Sequence, residues 1–284
     1  MKMQSKTSNI IEYYDSCESD YRIFWNLDDS LAMHAGFWDH TTKTLSEALA
    51  RENEVLAEFA SIKSHEKVLD AGCGLGGSSF FLAKQYQCEV IGITLSEHQV
   101  EKAKSLAAKN GLDSLVQFKT MDYCRTSFQD ASFDVVWAIE SVCHAENKEQ
   151  FVEEAFRLLK KGGRLILADG FGTFKLYKEE QSLEMERWLN GWGVERLEEQ
   201  ETFLRYLTEA GFSDIKYFNA TENILPSSKR LYWISFPATV LSTIGEWFGL
   251  RKKIQTKNIL AAYYQYSTLK KGLWEYGFFC ARKK

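Results

Sequence analysis

The chain has 284 residues, a net charge of −4, and 45% hydrophobic and 26% charged residues, so it can bury a core without staples and is neither disordered nor fibrous. Its six cysteines (17, 73, 88, 124, 143 and 280) show no CxxC or finger-like spacing, which excludes a zinc ribbon or a disulfide framework and argues for reduced thiols with no metal. Residues 221–284 hold eleven Lys or Arg against three Glu, a basic stretch suited to an anionic headgroup, diphosphate or membrane surface, while the acidic remainder and the lack of a reading motif argue against nucleic acid.

The first residues, MKMQSKTSNIIEYYD, contain no apolar core long enough for a secretory signal, so the mature chain is expected to start at or near Met1 and to work in the cytoplasm. Apolar runs of strand length then recur at 67–72, 89–94, 115–122, 133–140 and 164–170. Their continuous Val, Ile and Leu content predicts strands buried on both faces, and stretches such as SEHQVEKAKSLAAKNG between them carry helical spacing. Two further strands are predicted at 214–221 and 273–283. The expected fold is α/β: a doubly wound, Rossmann-like, seven-stranded and mostly parallel sheet with an antiparallel last strand. The expected organisation is a helical lid segment over 1–60, a core over 61–221, a helical lid insertion over 222–272 and a final core strand over 273–284. Within the insertion, Pro237 suits a first helical turn, and Val240, Leu241, Ile244, Trp247 and Phe248 fall on one face ahead of Gly249 and the basic run Arg251, Lys252 and Lys253. That pattern predicts an amphipathic lid or interfacial helix; Pro237, Glu246 and the need for the last strand to return to the sheet exclude a membrane span.

Gly72, Gly74 and Gly76 sit where the first strand turns into a helix, leaving a bare backbone that a ligand can approach closely. Asp70 before the loop would repel a pyrophosphate but suits an ammonium group, and Asp122 at the end of the third strand suits an adenine amine. That pair describes S-adenosylmethionine, with Tyr123 beside Asp122 completing the expected contacts. The stretch WAIESVCHAENK places Glu140 at the end of the fourth strand and His144 four residues on, on one face if the chain turns helical there. Both are candidates for a base or for cofactor contact. The 19 Phe, 13 Tyr and 8 Trp exceed ordinary usage and would stabilise a cationic species by cation–π attraction.

On VLDAGCGLGG and LLKKGGRLILAD the sequence resembles the class I S-adenosylmethionine-dependent methyltransferases. GCGLGGSSFFLAKQY, GITLSEHQ, FDVVWAIESVCHA and LKKGLWEYGFFCARK look most like the γ-tocopherol and sterol 24-C-methyltransferase group. Thr94 stands where the general dinucleotide pattern has an acidic residue; the resemblance assigns the ribose contact to Gln99 with help from Thr94. It also implies that YYDSCESDYRIFW and MHAGFWDHTT fold over the cofactor. Tyr14 then becomes a cofactor contact, Tyr21 a lid residue, and His34 and Trp38 substrate contacts. The implied activity is methyl transfer to carbon on a lipophilic, isoprenoid-type small molecule, with Glu140 or His144 removing the final proton. An N- or O-methyltransferase of a small metabolite is the alternative.

Overall fold

The computed structural model describes residues 13, 16–25, 27–173 and 177–284. Residues 16–25 are helical, and a short turn, Leu27–Ser30, follows. The main helices are α1 (Leu45–Ala60), α2 (Gly77–Tyr86), α3 (Glu97–Lys109), α4 (Lys148–Leu158), α5 (Glu179–Gly191), α6 (Gln200–Glu209), α7 (Thr221–Trp247) and α8 (Lys253–Lys270). The strands are β1 (Lys67–Ala71), β2 (Glu89–Thr94), β3 (Val116–Thr120), β4 (Phe133–Ile139), β5 (Leu159–Gly172), β6 (Phe212–Asn219) and β7 (Trp274–Lys283).

They form one seven-stranded sheet in the order β3-β2-β1-β4-β5-β7-β6. The first five strands pair in parallel, and β7 runs antiparallel between β5 and β6. The expected topology is therefore the observed one. The central strands split their side chains between two cores, as strand periodicity requires. Val68, Trp137 and Phe278 face one core with Leu56 of α1, Phe80 of α2 and Val100 of α3. Leu69, Val136 and Phe279 face the other with Phe151 of α4 and Phe203 of α6.

Local chemistry fixes several helix starts. Thr44 and Glu47 form a reciprocal capping box at α1, Ser96 caps α3 and Asn147 caps α4, each satisfying an amide that the first helical turn leaves without a partner. Strand order reverses about β1 and β4, so a crevice opens at their carboxyl ends, where Asp70 and Glu140 sit.

The lid insertion differs from expectation. Pro237 lies deep inside α7, as does Pro226, although an interior proline costs a helix about 3 kcal/mol through a lost hydrogen bond and a ring clash. Packing offsets that cost: α7 buries Ile224, Ser227, Ser228 and Leu231 and lies along α8. Beyond Pro237, Val240, Leu241, Ile244, Trp247 and Phe248 are exposed. No helix among the described residues is long and apolar enough to cross a membrane.

Candidate active site

Two chambers meet at the carboxyl ends of the strands. The first, about 910 Å³ of space, is lined by Asp70, Gly72, Gly74, Thr94, Gln99 and Tyr123 together with His34, Glu140, Ser141 and His144. Its shape follows from the turn after β1. Gly72, Gly74 and Gly76 have φ of +90°, +53° and +90°, a region open to glycine at little cost. A Cβ on Gly72 would stand 2.3 Å from the Ser141 Cβ. Asp70 is buried at the end of β1 and accepts from the Ser79 hydroxyl at 2.6 Å; burial raises its pKa to about 6. Thr94 ends β2 and its hydroxyl donates to Gln99 Oε1 at 2.7 Å. The Tyr123 hydroxyl donates to the Ser141 carbonyl at 2.7 Å, fixing one wall to the other.

Among the described residues no Lys or Arg lines this chamber, whereas two carboxylates do. Such a lining favours a cation over a di- or triphosphate, and the bare glycine turn leaves its backbone open to close approach. These residues fit S-adenosylmethionine, which is cationic at both its sulfonium and its ammonium group.

The second chamber, about 890 Å³, is walled by Trp25, Trp188, Trp192 and Trp274, with Tyr21 and Tyr276. Much of the aromatic surplus is placed here, and the Trp188 and Trp274 rings lie 4.4 Å apart. Besides Glu140 and His144, its charged and amide or hydroxyl groups include Arg230, Ser227, Ser228 and Gln265 from the α7–α8 pair and Asp169 from β5. Met33, Glu140 and His144 line both chambers, so any group passing from one to the other passes these three.

Glu140 and His144 do not share an α-helical face. Glu140 follows β4 with φ +45°, and Val142–His144 form a single 3-10 turn. This tight turn brings both side chains to the junction. The His144 Nδ1 lies 3.2 Å from the Gly193 carbonyl, which can only accept, so Nδ1 carries the hydrogen. Burial lowers the His144 pKa to about 4, leaving the ring neutral near pH 7. Glu140 is shifted the opposite way, to about 8, by burial first and then by the nearby charge of Glu52.

Other expected contacts lie elsewhere. Asp122 falls beyond the end of β3, is exposed, and accepts from the Cys124 amide at 2.8 Å; it is not part of the first chamber's wall. Trp38 lines neither chamber. Its indole donates to Ser227 Oγ at 2.8 Å and its amide to the Asn223 carbonyl, which ties the N-terminal loop to α7. His34 is buried in the first chamber's wall and not the second's, with Nδ1 2.6 Å from Glu52 Oε2. Tyr14 lies outside the described residues. Glu52, Ser141, Arg230 and Tyr276 were not anticipated from sequence. Glu52 did carry a signal: it stands between Leu49 and Leu56 on the buried stripe of α1.

Residues 69–167 match a methyltransferase-domain family. A 27-O-demethylrifamycin SV methyltransferase of Amycolatopsis mediterranei is 39% identical over 152 residues, 52% of this chain and 56% of that protein, so the matched segment spans little more than half that relative's length. The chloroplastic tocopherol O-methyltransferase of Arabidopsis thaliana is 29% identical over 96% of this chain and 81% of its own length. The sterol 24-C-methyltransferase ERG6A of Gibberella zeae is 30% identical over 72% of this chain and 54% of its own length. In fold, a geranyl diphosphate methyltransferase solved with GPP and sinefungin superposes with a TM-score of 0.79 at 19% identity, covering 99% of this chain and 100% of that one.

Fold, chamber and these similarities support reading the chain as a class I S-adenosylmethionine-dependent methyltransferase. Within that class it stands near the tocopherol and sterol methyltransferases.

Proposed function

We propose that the chain moves the cofactor's methyl group to a carbon atom of a lipophilic, isoprenoid-type acceptor, such as a prenyl quinol, a sterol or a prenyl chain, held in the tryptophan-walled chamber. One observation carries this reading: a partly buried carboxylate, Glu140, stands at the wall common to both chambers. The cofactor supplies an electrophilic methyl on sulfur, so the protein must align the acceptor and exclude water. Asp70 and the Thr94–Gln99 pair would hold the cofactor's polar ends. The aromatic walls would orient an apolar acceptor and stabilise positive charge on it by about 0.5–2 kcal/mol per well-placed ring. Carbon methylation leaves a proton to remove, and of the two side chains at the junction Glu140 has the much higher proton affinity. It is the base in this reading. His144, neutral and bonded to Gly193, orients the turn.

A second reading rests on the relative named for O-methyl transfer: an N- or O-methyltransferase of a small metabolite, which needs no base beyond solvent. A panel of prenyl quinols, sterols, prenyl diphosphates and small amines, followed by mass spectrometry, tests the acceptor class. Turnover of a prenyl or sterol acceptor is expected; exclusive turnover of a hydrophilic amine contradicts the proposal. Peripheral contact with a membrane surface belongs to the same reading, because the exposed apolar end of α7 lies beside Lys252 and Lys253.

A further inference from the structure

The Tyr276 hydroxyl lies 2.7 Å from Glu52 Oε1 and 2.9 Å from Glu140 Oε1. A phenol has one hydrogen to give. It can donate fully to only one of two carboxylates, and two ionised carboxylates within reach of one hydroxyl repel each other in a site poor in water. Among the described residues their remaining partners are two backbone amides, which donate, and the His34 ring. Glu52 Oε2 takes the Gly36 amide at 2.8 Å and faces His34 Nδ1, and Glu140 Oε1 takes the Ala35 amide at 2.6 Å. Glu52 is wholly buried and Tyr276 nearly so. An arrangement this crowded with oxygen closes if one carboxyl group is an acid that donates to the tyrosine oxygen while the tyrosine donates to the other.

We propose that Glu52, Tyr276 and Glu140 hold one acid proton in common, and that Glu140 surrenders it when the positive charge of S-adenosylmethionine is set against it in the first chamber. The proton comes off as the carboxylic O–H bond breaks, its electron pair stays on the carboxylate, and the proton passes to solvent. Glu140 is then ionised at the moment a base is needed. Taking the proton from the methylated acceptor, whose C–H electron pair restores the double bond, returns the pair to its starting state beside a neutral thioether. One proton therefore leaves the site for each cofactor bound and returns for each methyl transferred.

The surroundings agree in sign. Beside Glu140, Asp169 of β5 adds negative charge and the His34 ring opposes it. Tyr21 and Tyr276 stay un-ionised, raised mainly by burial, and Cys143 likewise stays a thiol. The neutral His144 supplies no charge. Arg230 lines the second chamber only and donates to the Phe24 carbonyl. Among the described residues of the first chamber's wall no permanent cation competes with the cofactor.

This inference rests on placing the sulfonium beside Glu140, as the proposed function does. It is tested by titration calorimetry of the full chain with S-adenosylmethionine and with S-adenosylhomocysteine at pH 7, in phosphate and in Tris, whose ionisation heats differ. Binding of the sulfonium form should release close to one proton and binding of the thioether close to none. Below pH 8 the affinity ratio of the two should rise with pH, by up to about tenfold per unit. Glu52→Gln removes the repelling neighbour but not the burial, so the Glu140 pKa falls and the release should shrink while binding persists. If that variant fails to fold, the wild-type affinity ratio alone decides. Proton-neutral binding of the sulfonium form, equal release with both compounds, or release unchanged in folded Glu52→Gln would each overturn the sharing. Loss of turnover in Glu140→Gln alongside proton-neutral binding would sink the shared proton and leave the base standing; proton release with full turnover in Glu140→Gln would do the reverse.

Discussion

Gly72 has room for a hydrogen and nothing larger. Its φ of +90° already disfavours any side chain, and Ser141, anchored by a 2.6 Å bond from its hydroxyl to the Ala71 carbonyl, cannot retreat. Gly72→Ala is expected to cost about 1–3 kcal/mol by overpacking and to lower the melting temperature. It should weaken cofactor binding at least tenfold, measured by calorimetry on the folded fraction; wild-type binding would show that the loop does not need this close approach. The same contrast explains what was readable residue by residue. Asp70, Gly72, Gly74, Thr94 and Gln99 lie at or just after strand ends in a strand, loop and helix pattern, so sequence spacing alone brings them together. Tyr276 and Glu52 stand 224 positions apart, and only the placement of β7 beside β5, with α1 packed across them, makes them neighbours. Asp122 stands two residues past the end of β3, where its Oδ1 also accepts from the Cys124 amide of its own turn.

At the level of elements, the hairpin of α7 and α8 is strapped to the N-terminal helix by Arg251, whose Nη2 donates to both Asp20 oxygens at 2.6 and 2.7 Å. Asp20 is buried, so removing its partner strands a charge, an effect of about 3–5 kcal/mol in buried pairs and less here because Arg251 is partly exposed. Arg251→Met should therefore speed amide exchange in α7 and residues 16–25, and adding Asp20→Asn should restore part of the protection. Equal exchange in all three proteins would mean that the strap does not hold the lid. The strands were legible because burial on both faces leaves a continuous apolar signature. The lid was legible only in part. Helical spacing was visible beyond Pro237, but two interior prolines masked the single helix running from Thr221 to Trp247, whose continuity depends on α8.

Across the whole molecule, aromatic residues fill the two cores, wall the second chamber and crowd the exposed end of α7. Trp247, Phe248 and Leu250 are 87%, 71% and 80% exposed, next to Lys252 and Lys253, in the most basic part of an otherwise acidic chain. Such a tip suits the interface of an anionic bilayer. Sedimentation with anionic vesicles should show binding that weakens with salt, over the range where the Debye length falls from roughly 30 to 10 Å; Trp247→Ser with Phe248→Ser should abolish it. Absence of binding at every salt concentration would leave the tip without this role.

The two chambers joined at Glu140 make carbon the expected site of methylation, and the destination of the methyl tests that most directly. With S-adenosylmethionine labelled by ¹³C in its methyl group and an accepted prenyl or sterol substrate, the product's carbon spectrum should show the label bonded to carbon. Glu140→Gln should slow its appearance by about 10²-fold or more. A label bonded to oxygen or nitrogen, arriving at the wild-type rate in Glu140→Gln, would contradict the account.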